Sequence, residues 1–291
     1  MKALYLTACI AALSGCAQHA KPTQDVTLAV SASDVLKNAK ADEWQTVSTQ
    51  NILKITLPTG SAYIELNPLL APKHTAHIKQ LAREGFYKNT SVYRFVEGFV
   101  AQGGDSSGNK KIQTANKTVP AEFYLETIQP LKITALKGDG YAPVTGFLNG
   151  FAVAQNQTHT QTWQVHCNGV FAMARGNDTD SASTEFFVTI GQSPRYLDKN
   201  ITVFGRVLEG MEHFNRLQRI PTDGIAFNPI TNVQVLADVI NDKSAFKVMK
   251  TDSVSFTQLI NARKNRTEPW FVQSYNYVDV CAMPIPTKRI D

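Results

Sequence analysis

A chain of 291 residues with 43% hydrophobic and 18% charged residues can bury a substantial core, and it carries too little charge to stay unfolded. Its net charge of +5 comes from Lys and Arg scattered along the chain rather than gathered in a stripe, which leaves a nucleic-acid partner no basic footprint. The length fits one large domain or one domain with additions.

Met1-Lys2 and the apolar run to Leu13 form a positive n-region and a short h-region, read as a signal peptide over residues 1–15 and too short to span a bilayer. The run ends Leu13-Ser14-Gly15-Cys16, which resembles the small-residue cysteine pattern of bacterial lipoprotein precursors. That resemblance implies cleavage before Cys16, a diacylglycerol thioether on its sulfur and an acylated new amino terminus. Two or more acyl chains hold a protein firmly at a membrane. The implied location is the periplasmic side of a bacterial envelope, and Ala17 in place of an acidic residue points to the outer membrane. Residues 16–50 are polar without strong periodicity and are expected to form a lipidated tether.

The domain proper is expected over 51–220. Ile52 to Leu57 and Ala62 to Leu66 alternate around Pro58-Thr59-Gly60, the pattern of a β-hairpin. After Pro72, apolar Thr75, Ile78, Leu81 and Ala82 recur at three- and four-residue steps, and Gly85 stands at a C-terminal cap, so this stretch reads as a helix. His74 and His77 lie three apart with no carboxylate or third histidine near in sequence. They are expected to be exposed, and no metal or other cofactor is called for.

Residues 93–105, Tyr-Arg-Phe-Val-Glu-Gly-Phe-Val-Ala-Gln-Gly-Gly-Asp, concentrate a cation, aromatics and an amide in one alternating segment. It reads as a strand with a bulge near Glu97-Gly98, which re-aims Phe99, Val100 and Gln102 to join Arg94 around one pocket. Turn residues then alternate with aromatics in 138–143 and 146–151, as in a loop that borders a binding surface or covers an edge, with a structural flap that touches no ligand as the alternative.

With Cys9 in the signal and Cys16 as the lipid site, Cys167 and Cys281 are the two cysteines left, and an oxidising compartment pairs them. His166 beside Cys167 lacks the partners of a metal centre or thiol nucleophile. The polar run 176–184 lacks the glycine and terminal glutamate of a calcium loop and reads as a solvated turn. Val203 to Val207 reads as a strand and Glu209 to Leu217 as a helix. Residues 221–291 form an extension docked on the main domain, with a strand at 233–239, a Ser-started helix at 253–265 and an extended Pro284-Ile285-Pro286 tail.

The 93–105 block recurs with Met173-Ala174-Arg175, Thr184-Glu185-Phe186-Phe187-Val188, Tyr196-Leu197-Asp198 and the run from Val203 to Met211. In that order and spacing these motifs resemble the cyclophilin-type peptidyl-prolyl isomerases, roughly from Ile52 to Leu217. The resemblance implies a mainly β fold, a closed eight-stranded antiparallel barrel capped by two helices, with residues about 106–168 as an insertion. It places Arg94, Phe99 and Gln102 as catalytic residues, with Val100, Ala174, Arg175, Phe187, Tyr196 and Leu197 binding substrate. Four positions depart from the family's usual residues: Val100 for Met, Tyr196 for Trp, Ile201 for His and Glu185 for Gln. The implied partners are proline-containing peptides and unfolded envelope proteins, met by a monomer without a cofactor. The alternative class is a catalytically weak module that binds or scaffolds proline peptides.

Overall fold

The computed structural model describes residues 30–266 and 268–291, so the signal peptide and Cys16 lie outside the described residues. Alternating side chains build one antiparallel sheet of nine strands. At one edge Pro229–Ile230 pairs with Thr90–Val96, and at the other Asn232–Val235 pairs with Ile52–Leu57. Only Thr231 separates these two edge strands, and its N–H donates to the Thr56 carbonyl at 2.9 Å. One segment, 229–235, therefore seals both edges. The nine strands are eight chain segments wrapped into a barrel, in keeping with the expected architecture.

Leu53 faces Ile64 and Ile55 faces Ala62 across the first hairpin, and together with Leu57, Leu66, Phe171, Phe186, Val188 and Phe204 they fill the interior. The Pro72–Arg83 helix closes one end with Ile78, Leu81 and Ala82 in the same core. Proline in its first turn has no N–H to leave unsatisfied. Gly85, at φ +71°, ends the helix in the left-handed conformation that glycine adopts without a Cβ clash. The Met211–Asn215 helix adds Phe214 to the core.

The insertion folds into its own five-stranded sheet, in the order Leu125–Glu126, Gln161–Gln164, Phe151–Gln155, Val144–Leu148 and Thr134–Lys137. Leu136, Phe147, Ala154, Trp163 and Val165 carry this sheet onto the outer face of the barrel, where Ala172, Phe187 and Val203 meet them. A third sheet aligns Trp44–Thr46, Phe246–Met249 and Thr287–Arg289. Cys167 and Cys281 are joined with their Cα atoms 5.0 Å apart, which ties the extension to the root of the insertion as the cysteine count implied.

Three expectations need correction. Within the 16–50 tether, Ala32–Asn38 is a helix capped by Ser31, and Val35 and Trp44 are buried among Phe256, Leu259 and Ile260 of the Val254–Lys264 helix. Seven residues are too few to display a helical period, so burial there was invisible in the polar composition. The 221–291 extension gives its 229–235 segment to the barrel, so the barrel runs past the expected boundary at 220. His74 and His77 are buried, not exposed. Glu122 accepts from His74 Nδ1 at 2.8 Å, and the Ser183 carbonyl accepts from His77 Nε2 at 2.7 Å. Both partners come from distant loops that fold over the helix.

Candidate functional site

The 93–105 segment is a hairpin, not one bulged strand. Thr90–Val96 and Val100–Gly104 run antiparallel, and Gly98 at φ +69° lets the chain reverse while Phe99 N–H donates to the Val96 carbonyl at 3.0 Å. The register irregularity lies earlier, between Ser91 and Arg94. Reversal sets Arg94 opposite Gln102, Gln102 opposite Phe187 and Phe187 opposite Ala172 in one row across four strands. Residues paired across antiparallel strands share a face. The neighbouring row, Phe95, Ala101, Val188 and Phe171, belongs to the barrel core, so the Arg94 row points outward.

Arg94 is exposed, and its Nη1 donates to Gln102 Oε1 at 3.1 Å. A guanidinium only donates, which fixes the amide orientation and turns Gln102 Nε2 toward the Tyr93 hydroxyl, 2.7 Å away. Burial raises the Tyr93 phenol well above its ordinary range, and the Glu185 carboxylate beside it adds to the effect. Burial likewise pushes the Glu185 carboxyl up, against bonds from Tyr93 and Thr184. Gly104, at φ +145°, lies under this carboxylate. A Cβ there would meet Glu185 Oε1 at 2.5 Å, so glycine is what admits Glu185 at this place.

The apolar side of the groove follows from the same strands. Val100 and Phe187 are buried, with Phe99, Ala174, Leu197 and Ile201 packed partly exposed in the same cluster. Tyr196 is exposed and stacks on Phe99 with ring centroids 6.4 Å apart. Ala174 N–H donates to the Glu185 carbonyl at 2.7 Å. Arg175 directs its Nε to the Asn200 carbonyl at 2.9 Å and holds its guanidinium over the Phe123 ring, so what it offers a ligand is backbone. Arg94, Phe99, Val100, Gln102, Ala174, Phe187, Tyr196 and Leu197 thus lie on one outward face.

Four further residues border this face. His166, from the end of the insertion, lies nearly parallel to the Phe187 ring at 6.4 Å and 18°. Its Nδ1 donates to Asp198 Oδ1 at 3.0 Å, Asp198 pairs with Arg195, and Arg195 pairs with Asp139. The Arg-x-x-Asp spacing of 195–198 is the one local trace of this arrangement in the sequence.

Compared with known proteins, residues 52–239 match the family model described as cyclophilin type peptidyl-prolyl cis-trans isomerase/CLD. A "Probable peptidyl-prolyl cis-trans isomerase" of Brucella suis is 28% identical over 181 residues, covering 58% of this chain and 72% of that protein. "Peptidyl-prolyl cis-trans isomerase CYP23" of Arabidopsis thaliana is 28% identical over 194 residues, covering 65% of this chain and 71% of its own. Among solved structures, cyclophilin AquaCyp293 from Hirschia baltica is similar with a TM-score of 0.68 and 26% identity, covering 88% of this chain and 96% of that one.

Proposed function

The chain belongs to the cyclophilin-type peptidyl-prolyl cis-trans isomerases, and on that premise we propose that Arg94 stabilises the twisted prolyl amide while the Phe99, Val100, Phe187 and Leu197 wall holds the proline ring. Rotation about the prolyl amide is slow because partial double-bond character sets a barrier of about 18–20 kcal/mol. Twisting the bond localises a lone pair on the prolyl nitrogen. A guanidinium aimed at that nitrogen interacts more strongly with the twisted than with the planar amide, which is the differential binding that catalysis needs. The observation that carries this reading is the Arg94–Gln102–Phe187 row, which sets a cation held by an amide beside a buried aromatic wall. Gln102 keeps the guanidinium oriented before substrate arrives, so little reorganisation is left for the reaction itself.

Arg94→Ala is expected to lower turnover of a prolyl peptide about 10²- to 10³-fold, as for loss of one preorganised donor. Peptide affinity falls much less, since ground-state binding rests on the apolar wall. Lysine is a poor replacement because it presents a point charge in place of a planar fork. Turnover is flat near neutral pH, because arginine keeps its charge. NMR exchange on a prolyl peptide with wild type and Arg94→Ala decides it. Equal rates in the two, both above the uncatalysed rate, refute the role given to Arg94. A wild type that binds the peptide without accelerating it identifies a scaffold.

We further propose that the enzyme serves folding of proline-containing envelope proteins from a lipid anchor at Cys16, on the periplasmic side of the outer membrane. Support comes from the Leu13-Ser14-Gly15-Cys16 stretch behind an apolar run and from the Cys167–Cys281 disulfide, a bond suited to an oxidising compartment. Among the described residues no helix is long and apolar enough to cross a membrane.

A further inference from the structure

The Arg195–Leu197 turn supplies Tyr196 and Leu197 to the groove, and both residues flanking that pair carry buried charge. The side chains of Arg195 and Asp198 are each 6% exposed. Charges so buried persist when opposite charges and hydrogen bonds meet them, and here the outside partners come from the insertion, while Arg195 Nη2 and His166 Nε2 are buried without a hydrogen-bond partner. Asp198 Oδ1 accepts from the His166 backbone N–H at 2.9 Å and from His166 Nδ1 at 3.0 Å, while its Oδ2 accepts from Arg195 Nε at 2.6 Å. Arg195 Nη1 donates onward to Asp139 Oδ2, and its guanidinium lies over the Tyr141 ring at 5.4 Å. Asp139 is fixed in turn, since its Oδ1 accepts the N–H groups of Tyr141 and Ala142 at 2.8 and 3.0 Å.

From this ladder we propose that Asp139 and His166 are positioning residues for the isomerase reaction, acting through Arg195 and Asp198 to set the Tyr196–Leu197 wall of the proline pocket. The inference rests on the groove assigned under the proposed function and deepens it. The insertion touches the pocket on two sides. Its His166 ring backs Phe187, and its Asp139 end anchors the opposite wall through Arg195. The turn between the two anchors cannot shift without breaking at least one buried ion pair, so the gap between Phe187 and Leu197 is held constant. Burial raises the Asp198 carboxyl, yet its bonds to His166 and Arg195 outweigh that and keep it below the ordinary range, as expected of a permanently ionised centre. Buried ion pairs add little net stability against apolar replacements, so the service of this ladder is geometric.

The test uses the full folded domain with Asp139→Asn, which keeps the turn's acceptor and removes the charge, and His166→Phe, which keeps the stacked ring and removes the side-chain bond to Asp198 while the backbone bond stays. His166→Asn, whose Nδ2 donates where the imidazole Nδ1 did, is the rescue. Steady-state isomerisation of a prolyl tetrapeptide is expected to show KM raised about tenfold in the first two variants, with kcat within about twofold because Arg94, Gln102 and Tyr93 stand outside the ladder. His166→Asn, which restores the donor but not the ring behind Phe187, has a KM below that of His166→Phe. Wild-type KM in both disruptive variants, or kcat falling together with the urea midpoint, overturns the inference. Should the wild type not accelerate isomerisation, the catalytic reading fails on its own, and NMR titration with the same peptide still judges the ladder: a weakened Kd in both variants supports it, an unchanged one overturns it. A wild type that neither accelerates nor binds the peptide overturns both.

Discussion

Removing the Cys167–Cys281 bond should cost the fold about 6 kcal/mol while leaving its native packing in place. The two cysteines are 114 positions apart, and closing a loop of that length in the unfolded chain removes entropy worth roughly 4.7 kcal/mol or slightly more at 25 °C. On the native side little changes. Cys167, Val278, Val280 and Met283 are buried in one apolar cluster, and the Val280–Ala282 turn is capped by Asp279, which accepts the Cys281 N–H at 2.8 Å. The extension therefore stays docked when both sulfurs are replaced by serine oxygen, with about 1 kcal/mol added for the lost apolar contact. Equilibrium urea unfolding of wild type and the Cys167→Ser/Cys281→Ser double variant measures the difference. The midpoint should fall and the slope should rise, since the unlinked chain exposes more surface on unfolding. A free-energy difference under about 1 kcal/mol at unchanged slope would show that the linked and unlinked denatured chains are equally compact, and the loop-closure reasoning would be wrong.

Other outcomes follow from particular groups. Lys54 Nζ lies 2.8 Å from Asp242 Oδ2; burial pushes that carboxyl up, but bonds from Lys54 and Ser244 outweigh it and hold the pKa at about 2. A folded pKa below the unfolded value of about 3.9 stabilises above that pH and is lost as pH falls toward 2, so Asp242→Asn should flatten this part of the urea midpoint's pH profile. Glu185 has the opposite sign: its folded pKa is raised by burial, so its contribution is lost as pH rises from the unfolded value through the folded one. Glu185→Gln should therefore gain stability relative to wild type as pH rises above the ordinary carboxylate value of about 4.3, and a difference that does not change with rising pH would contradict the assignment. Labelling cells with a radioactive fatty acid should mark the wild type and not Cys16→Ser; an unlabelled, soluble mature wild type sinks the anchor.

The parts of the fold legible in the sequence are those with local cause. The Ile52–Leu57 and Gly60–Leu66 hairpin and the Pro72–Arg83 helix carry their period and their end signals within a dozen residues, and the Val254–Lys264 helix carries its end signals, the Ser253 cap and the basic last turn. Arg94, Gln102 and Phe187 were legible as a motif, but their juxtaposition is a matter of register: a glycine between two β-prone runs serves a bulge or a reversal equally well, and Gly98 makes the reversal. Burial of His74 and His77 was hidden because Glu122 and Ser183 arrive from 48 and 106 positions away. The same holds for Asp139 and Arg195, partners 56 positions apart. Charge complementarity at such separations leaves no period to read, and only the closed fold brings it about.

The split strand at 229–235 also sets a timetable for the chain's birth. At about 5–20 residues per second, synthesis needs on the order of ten seconds to travel from the Thr90–Val96 strand to the segment that will cover it. During that interval both that strand and Ile52–Leu57 present bare amides and carbonyls, the template on which a neighbouring nascent chain can add a strand of its own. A ribosome that stalls, or a protease that clips, after the Val203–Glu209 strand but before residue 229 leaves a product with every groove residue and two sticky margins. Such fragments should accumulate as aggregates and not as small active enzymes.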